Sequence, residues 1–408
     1  MNSDVVIAGA GPAGLIAAEQ ASRYGLKAVL LEKHAAVTDS LMGELVTDKA
    51  LRLLRIKPDS ECVTNKFNRI VGESLDTGAH IAVDRGLLGS SYLLDEDKVQ
   101  LLLSNRATSN GAQFVFKARA DSVVKQGDQV VGVRYNQDQT VRAGLTVGAD
   151  GSFSRISSTA GFTHPKWLLS YGYRFKLADC RIDDPNTAYF YVGRDVGLGY
   201  LWLYPRSRTE TNLGIGRVPS SKNNWNALPP MKDVLQKYIR EHLGPNARIV
   251  NVNGGVVPCA GLIPKFTGAG VALCGNSAGQ VSSIVGGGVT TCLHAGALLA
   301  RHAKRMTEQN DFSARNTVLY EKEYRKTKLA HSIQNTAMGM WAVSRYAMLN
   351  DPIAAAEKVL SQLDAKTLNE VIQGHVSPGT AMSLLTDFLP LVARLGMGYV
   401  RSIAVVGP

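Results

Sequence analysis

The stretch MNSDVVIAGAGPAG, residues 1–14, decides the fold of this chain. An apolar strand ends at Gly9-x-Gly11-x-x-Gly14, and a helix is predicted to begin at Pro12 or the next residue. In this order the first glycine makes the turn, the second lets the backbone approach a pyrophosphate, and the third lets helix and strand pack closely. The N–H groups at the helix N-terminus then face the anion. The pattern predicts a dinucleotide site whose contacts are Gly9, Gly11, Ala13 and Gly14.

An acidic residue follows the turn at the spacing that dinucleotide binding requires. A second strand over residues 27–31 ends in Glu32, and an acid about 20 residues after the turn holds a ribose hydroxyl. A glycine-rich turn that only packs a helix on a sheet would leave Glu32 unexplained. Glu32 and the adjacent Lys33 are therefore candidate cofactor contacts.

Size and charge limit the class of protein. A chain of 408 residues is longer than one hydrophobic core usually organises, so we expect two or more domains. The excess of 45 Lys+Arg over 34 Asp+Glu gives a net charge of +11, which favours anionic partners. Because no basic block is interleaved with aromatic residues, nucleic acid is the least favoured of these partners.

The five cysteines are scattered and never in C-x-x-C spacing, which predicts reduced thiols, a cytoplasmic location and no metal site. The N-terminus enters a strand directly, so we expect no signal peptide. The sequence contains no run of about 18 uninterrupted apolar residues, so we expect no membrane-spanning helix. The apolar run Phe388 to Val406, broken by two arginines, is open to two interpretations: a core-packing helix or a membrane-facing amphipathic segment.

Periodicity and turn residues predict the order of elements along the rest of the chain. The predictions are a loop and helix over residues 41–56, short strands over 65–94, a helix over 97–109, strands over 113–124, 130–135 and 141–147, further strands over 171–218, two strands within 256–275, a helix over about 287–304, and helices beyond 310.

Two further motif groups resemble those of the flavoprotein hydroxylase superfamily, whose fold is that of p-hydroxybenzoate hydroxylase. They are Asp150-Gly151 with Ser154-Arg155, and Gly275-Asn276-Ser277-Ala278-Gly279 with Gly286-Gly287-Gly288. The resemblance implies FAD as the cofactor, with position 276 at the ribityl chain and the glycine run at the flavin ring edge. A helix N-terminus near Val289 would stabilise negative charge on the reduced flavin by about 0.3–2 kcal/mol. The further cofactor contacts that the resemblance implies are Gly43, Glu44, Ala120, Asn276, Gly287, Gly288 and Val289.

The segment Gly199-Tyr-Leu-Trp-Leu-Tyr-Pro205 resembles the Tyr-x-Trp-x-Phe-Pro signature of the geranylgeranyl reductase family, which saturates isoprenoid double bonds. Strand alternation places Tyr200, Trp202 and Tyr204 on one face. Aromatic rings that each bury about 150–250 Å² form an apolar wall suited to a polyprenyl chain. The alternative is that these rings only fill the core. Tyr200, Trp202 and Pro205 are the candidate substrate contacts.

Four positions depart from the family pattern, and one of them is Ser283, where a proline is common. Met42-Gly43-Glu44 stands where the family has Cys-Gly-Glu, and Glu96 stands where it has a flavin-contacting arginine. Asn276 replaces an aspartate, although its amide oxygen still accepts a hydrogen bond. The missing cysteine leaves Tyr200, Tyr204, Glu44 or a water as candidate proton sources.

The predicted fold is α/β: a Rossmann-like FAD-binding domain of the p-hydroxybenzoate hydroxylase type, an inserted β-rich substrate domain and a C-terminal helical region. The predicted parts are residues 1–165 (FAD-binding, first part, with inserted strands at about 65–94), 166–254 (substrate-binding), 255–305 (FAD-binding, second part) and 306–408 (helical).

The resemblance implies a reductase in which reduced FAD gives a hydride to one alkene carbon and a proton reaches the other. We expect an isoprenoid lipid substrate, peripheral membrane contact, and NAD(P)H or a ferredoxin-type protein as electron donor. Arg85 and His80 are candidates for an anionic headgroup, or else solvated residues of a strand edge. Two alternatives stay open: a flavin-dependent aromatic hydroxylase or halogenase, and a non-catalytic prenyl-lipid carrier.

Overall fold

The computed structural model describes residues 2–39, 42–84, 91–164, 169–219, 228–283 and 286–347. Their strands are β1 (Asn2–Ala8), β2 (Ala28–Leu31), β3 (Leu45–Thr47), β4 (Val63–Phe67), β5 (Arg69–Ser74), β6 (His80–Asp84), β7 (Ser91–Leu94), β8 (Gln113–Val115), β9 (Ala120–Gln126), β10 (Gln129–Tyr135), β11 (Gln139–Gly148), β12 (Leu169–Ala178), β13 (Thr187–Val192), β14 (Gly199–Pro205), β15 (Thr211–Arg217), β16 (Arg248–Pro258), β17 (Thr267–Gly268) and β18 (Val271–Leu273). Their helices are α1 (Pro12–Arg23), α2 (Asp48–Leu54), α3 (Glu96–Ser109), α4 (Arg155–Ala160), α5 (Met231–His242), α6 (Val289–Glu308), α7 (Ala314–Arg325) and α8 (Lys328–Ala347).

The first sheet carries the predicted dinucleotide unit. Its strand order is β17-β18-β11-β1-β2-β8, and β9 and β10 continue antiparallel from β11. The strands β11, β1, β2 and β8 are parallel. Residues 5–8 of β1 are fully buried, as expected for a parallel strand covered on both faces. The predicted mixed α/β architecture is confirmed.

Helix α6 packs on α1 through a glycine. A Cβ at Gly296 would lie 2.3 Å from the Ala13 carbonyl oxygen, so no larger residue fits there without movement. This close approach brings the late glycine segment, residues 275–279 and 286–288, to the first turn. The predicted helix over 287–304 is confirmed, with its first residue at Val289.

The second sheet has the order β16-β12-β15-β14-β13-β5-β6, and its pairs are antiparallel except for β13 with β5. Helix α5 covers one face with a buried cluster that includes Leu235 and Tyr238. A three-stranded sheet, β3-β7-β4, lies against part of the other face through contacts such as Phe67 with Tyr204. The strands predicted over 65–94 are therefore divided between these two sheets.

One predicted strand is wrong. Residues 113–124 form two strands, β8 and β9, because the chain turns at Lys117, whose φ is +52°. β8 joins β2 in parallel, whereas β9 pairs with β10. The short strand β3 was not predicted within residues 41–56.

Some predictions lie outside the described residues: Arg85, and the apolar run Phe388 to Val406 with most of the predicted helical region. In the part of the chain that the structure describes, no helix combines the length and apolar character needed to cross a membrane.

Candidate functional site

The glycines of the first turn have three different surroundings. Gly9 has φ +99°, and a Cβ there would lie 2.5 Å from the Ala149 carbonyl oxygen. A Cβ at Gly14 would lie 1.9 Å from the Gly9 carbonyl oxygen. At Gly11 a Cβ would meet no described atom within 4 Å. Gly9 and Gly14 are thus required by packing, whereas Gly11 borders open space at the N-terminus of α1, where an anion such as a pyrophosphate fits.

Glu32 is fixed beside this turn. Its side chain is 3% exposed, and its two carboxylate oxygens accept from the Ala10 N–H at 2.7 Å and the His34 N–H at 2.9 Å. Each oxygen keeps a lone pair for a ligand hydroxyl. Lys33 is exposed, and Ala120 begins β9. The turn and the acid together fit the adenosine half of a dinucleotide.

The late glycine segment meets the same helix. A 3₁₀ helix over Gly275–Ala278 follows β18, and a Cβ at Gly275 would lie 2.9 Å from the Ala13 Cβ. A Cβ at Gly288 would lie 3.7 Å from Asn276 Oδ1. The structure therefore brings Asn276 next to the glycine run, residues 286–288, which leads into the N-terminus of α6. This second backbone cradle fits the other half of a dinucleotide.

The loop 42–44 touches the start of α6, because a Cβ at Gly43 would lie 2.9 Å from Val289 Cγ2. Met42 is buried, with its side chain 3% exposed. The predicted cofactor contacts Gly43 and Val289 are therefore neighbours, although they are distant in the sequence.

The predicted aromatic face is confirmed. The rings of Tyr200 and Trp202 have centroids 5.7 Å apart, those of Trp202 and Tyr204 are 6.3 Å apart, and Phe190 packs against both tyrosines. The Tyr200 hydroxyl would lie 3.8 Å from a Cβ at Gly286. The aromatic face therefore begins at the glycine run.

Away from the glycine run the same face merges into the core. Tyr204 is 8% exposed and packs against Phe67 at 6.3 Å between centroids. Pro205 ends β14, and its carbonyl oxygen accepts from Asn65 Nδ2 at 2.9 Å. The alternative of core filling thus holds for Tyr204, and Pro205 lies at the opposite end of β14 from Tyr200.

The Trp202 indole lies over two glycines of β15. A Cβ at Gly214 would lie 2.1 Å from the indole ring, whereas a Cβ at Gly216 would lie 3.6 Å from it. Because Gly214 has no side chain, the ring can lie flat on the sheet.

A buried charge cluster on the same side of the second sheet as the aromatic face was missed by the sequence analysis. Arg174 of β12 donates from Nη1 and Nη2 to the two carboxylate oxygens of Glu96, at 3.0 and 2.6 Å. Its Nη1 also donates to Glu44 Oε1. All three side chains are less than 9% exposed. A charged residue at an inward position of a strand, Arg174 between Tyr173 and Phe175, is the one sequence signal that could have shown it.

Burial changes the acidity of the predicted proton sources. Burial raises the pKa of the Tyr200 and Tyr204 phenols above their usual value, so both stay protonated at neutral pH. Burial also raises the pKa of Glu44 to about 7, against the opposing effect of the Arg174 guanidinium. Of these three groups, Glu44 alone titrates near neutral pH.

Two motif residues have local roles. The Asp150 carboxylate accepts from Ser154 Oγ at 2.5 Å and from the Arg155 N–H at 2.7 Å, and so stabilises the start of α4. Burial raises the pKa of Asp150. His80 is exposed at the start of β6, which agrees with a solvated strand edge.

Residues 2–245 match the family model described as the FAD binding domain. The chain is 30% identical over 339 residues to a digeranylgeranylglycerophospholipid reductase of Methanosarcina mazei, covering 81% of this chain and 82% of that protein. It is 28% identical over 389 residues to a protein of the same name from Thermoplasma acidophilum, covering 90% and 95%.

Solved structures share the fold. A geranylgeranyl bacteriochlorophyll reductase-like protein of Thermoplasma acidophilum superposes with a TM-score of 0.80 at 24% identity, covering 97% of this chain and 98% of that one. A flavin-dependent brominase superposes with a TM-score of 0.69 at 17% identity, covering 92% and 94%. The match to the FAD binding domain and these superpositions confirm the predicted fold type.

Proposed function

We propose that this chain, which belongs to the FAD binding domain family and to the digeranylgeranylglycerophospholipid reductases, saturates C=C bonds of geranylgeranyl chains in lipids or prenyl diphosphates. The observation that carries the proposal is the meeting of the aromatic face with the glycine run, where the Tyr200 hydroxyl would lie 3.8 Å from a Cβ at Gly286. An apolar chain lying along the rings would reach the cofactor cradle at this point. FAD, when bound and reduced, supplies the hydride.

The two backbone cradles divide the binding of FAD between them. Gly9, Gly11, Ala13 and Gly14 hold the pyrophosphate, and Glu32 orients the ribose beside it. Asn276 and residues 286–289 hold the flavin half. Gly43 borders the same half of the site, because it lies against Val289. Lys33 and Ala120 stay predictions of the family resemblance.

The aromatic face positions the substrate and excludes water. An isolated alkene offers no polar group for recognition, so its alignment depends on shape and apolar contact. Tyr200 and Trp202 provide that contact nearest the glycine run. The unreacting remainder of an isoprenoid chain adds binding free energy that orients the reacting bond.

We assign electron supply to transiently bound NAD(P)H or to a ferredoxin-type protein, because the sequence carries a single Gly-x-Gly-x-x-Gly turn. We also propose a cytoplasmic protein that contacts the membrane peripherally. A lipid substrate and a net charge of +11, which attracts anionic lipid, support this placement.

The test uses purified protein loaded with FAD, reduced with dithionite under argon and mixed with a geranylgeranyl phospholipid. We expect product mass to rise by two hydrogens for each C=C bond reduced. Parallel reactions in air test the hydroxylase or halogenase alternative, because those chemistries need oxygen. Oxygenated product in air, with no saturated product under argon, would refute the reductase. A colourless protein that takes up no FAD would instead favour the prenyl-lipid carrier.

A further inference from the structure

The buried charge cluster on the side of the aromatic face gathers charges from three separate parts of the chain. Glu44 comes from the loop that touches α6, Glu96 opens α3, and Arg174 and Lys176 come from β12. Asp97, half-exposed, lies 3.8 Å from Lys176 Nζ.

The two buried carboxylates share the guanidinium unequally. Arg174 binds Glu96 through both terminal nitrogens, and Lys176 Nζ lies 3.2 Å from the same carboxylate. Glu44 receives one hydrogen bond from this guanidinium, from Arg174 Nη1, and the Asn212 amide also interacts with its carboxyl. Two cations then face three acids. Both cations contact Glu96, so Glu44 is the buried carboxylate whose charge is less fully compensated.

Unsatisfied polar atoms surround Glu44. Among the described residues, Glu44 Oε2, Arg174 Nε and both amide atoms of Asn212 are buried without a hydrogen-bond partner of normal geometry. Buried polar atoms are nearly always paired, so each exception needs an explanation. The free oxygen of Glu44 is available to a ligand or to a proton in transfer.

Sheet register places the side chain of Arg174, which binds Glu44, on the face that carries the aromatic rings. Arg174 pairs with Gly214, and Gly214 pairs with Trp202. Asn212 in turn pairs with Tyr204. Because residues directly across neighbouring strands share a face, the guanidinium and its carboxyl partners lie on the side that carries the aromatic rings.

We infer that Glu44 is the proton donor of the alkene reduction, and that Arg174 and Glu96 are positioning residues: Arg174 orients the Glu44 carboxyl, and the charge of Glu96 favours its protonated form. The inference rests on the proposed function. Reduced FAD, when bound, would supply the hydride and its two electrons to one alkene carbon. Glu44 gives its proton to the other carbon, where the π electron pair forms the new C–H bond as the O–H bond of Glu44 breaks, and solvent returns a proton to the carboxylate.

The acidity of Glu44 agrees with this role. Burial raises its pKa to about 7, Arg174 lowers it, and Glu96 raises it further. A general acid works best with a pKa near the working pH. The charged or titratable groups that face it from the packed elements are Arg174 and Lys176 of β12, Glu96 and Asp97 of α3, and Tyr204 of β14.

The first experiment needs no turnover. Infrared difference spectra of the FAD-loaded protein across a pH series should contain the C=O stretch of a protonated carboxyl that is lost as pH rises through about 7. The band should be absent from Glu44→Gln. A spectrum without such a band, or a band that Glu44→Gln retains, overturns the inference.

The second experiment measures single-turnover saturation by chemically reduced protein as a function of pH. Wild type should lose rate as pH rises through about 7, because the donor must be protonated. Glu44→Gln should lose about 100-fold or more while still binding FAD. Glu96→Gln frees Arg174 for Glu44, so the decline should move to lower pH by about one unit.

Asp97→Asn is the matched comparison, since it removes the adjacent acid of the same helix turn, which is half-exposed and has no hydrogen bond to Arg174. It should move the pH profile less than Glu96→Gln does. A full rate in Glu44→Gln, or equal shifts in Glu96→Gln and Asp97→Asn, overturns the inference while the reductase stands. If wild type saturates nothing at any pH, the proposed function fails and the donor role fails with it.

Discussion

We assign Gly11 to FAD binding and not to the packing of the first turn, and Gly11→Val tests this assignment. The residue has φ −70° and ψ 177°, a conformation open to any side chain. A Cβ there would meet no described atom within 4 Å, so the substitution creates no clash in the protein itself. The new side chain would fill the space that we assign to the FAD pyrophosphate.

The expected magnitudes differ widely between the two properties. Removing glycine from the unfolded chain stabilises by about 0.4–1 kcal/mol, and placing an apolar residue at a helix N-cap costs about 1 kcal/mol. These effects offset, so the unfolding free energy without FAD should change by less than about 1 kcal/mol. FAD affinity should fall at least 100-fold, or about 2.7 kcal/mol.

Gly14→Ala is the contrasting variant, because its Cβ would lie 1.9 Å from the Gly9 carbonyl oxygen. It should lower the unfolding free energy even without FAD. Denaturant unfolding of the FAD-free protein and titration of FAD by flavin fluorescence give the two quantities for each variant. Wild-type FAD affinity in Gly11→Val, or equal destabilisation by both variants, would refute the assignment.

Two further predictions concern the contact between the Trp202 indole and the glycines of β15. Gly214→Ala should destabilise the protein by about 1–3 kcal/mol in denaturant unfolding, because its Cβ would lie 2.1 Å from the Trp202 ring; Gly216→Ala, where the distance is 3.6 Å, should cost less, and equal losses would contradict the close contact. Trp202→Ala should reduce turnover of long isoprenoids much more than FAD affinity, both measured on one preparation. Parallel loss of turnover and affinity would place Trp202 in the structural core alone.

Local sequence signals predicted the parts of the site that depend on backbone shape. The turn at Gly9, the acid at Glu32 and the aromatic alternation of β14 all appear within short segments, so periodicity and glycine spacing were sufficient. The strand prediction over 113–124 failed because Lys117 adopts a left-handed conformation that its residue type does not indicate.

The charge cluster could not be predicted in the same way. Arg174 meets Glu96 and Glu44 across 78 and 130 residues of sequence. No periodic pattern links such positions. The departure at Glu96 was visible as the loss of a family arginine, but its buried partner Arg174 is set by the tertiary contact between the first residue of α3 and β12.

The contact between Gly296 and Ala13 has a consequence for biosynthesis. The first turn leaves the ribosome early, whereas the helix that packs on it begins at Val289. At roughly 5–20 residues per second, α1 waits on the order of 15–55 s for this partner. During that interval the apolar surface of α1 that α6 will cover is open to solvent and chaperones. The β-rich sheet is synthesised within the same interval, so the nascent chain completes its cofactor cradle only after that sheet.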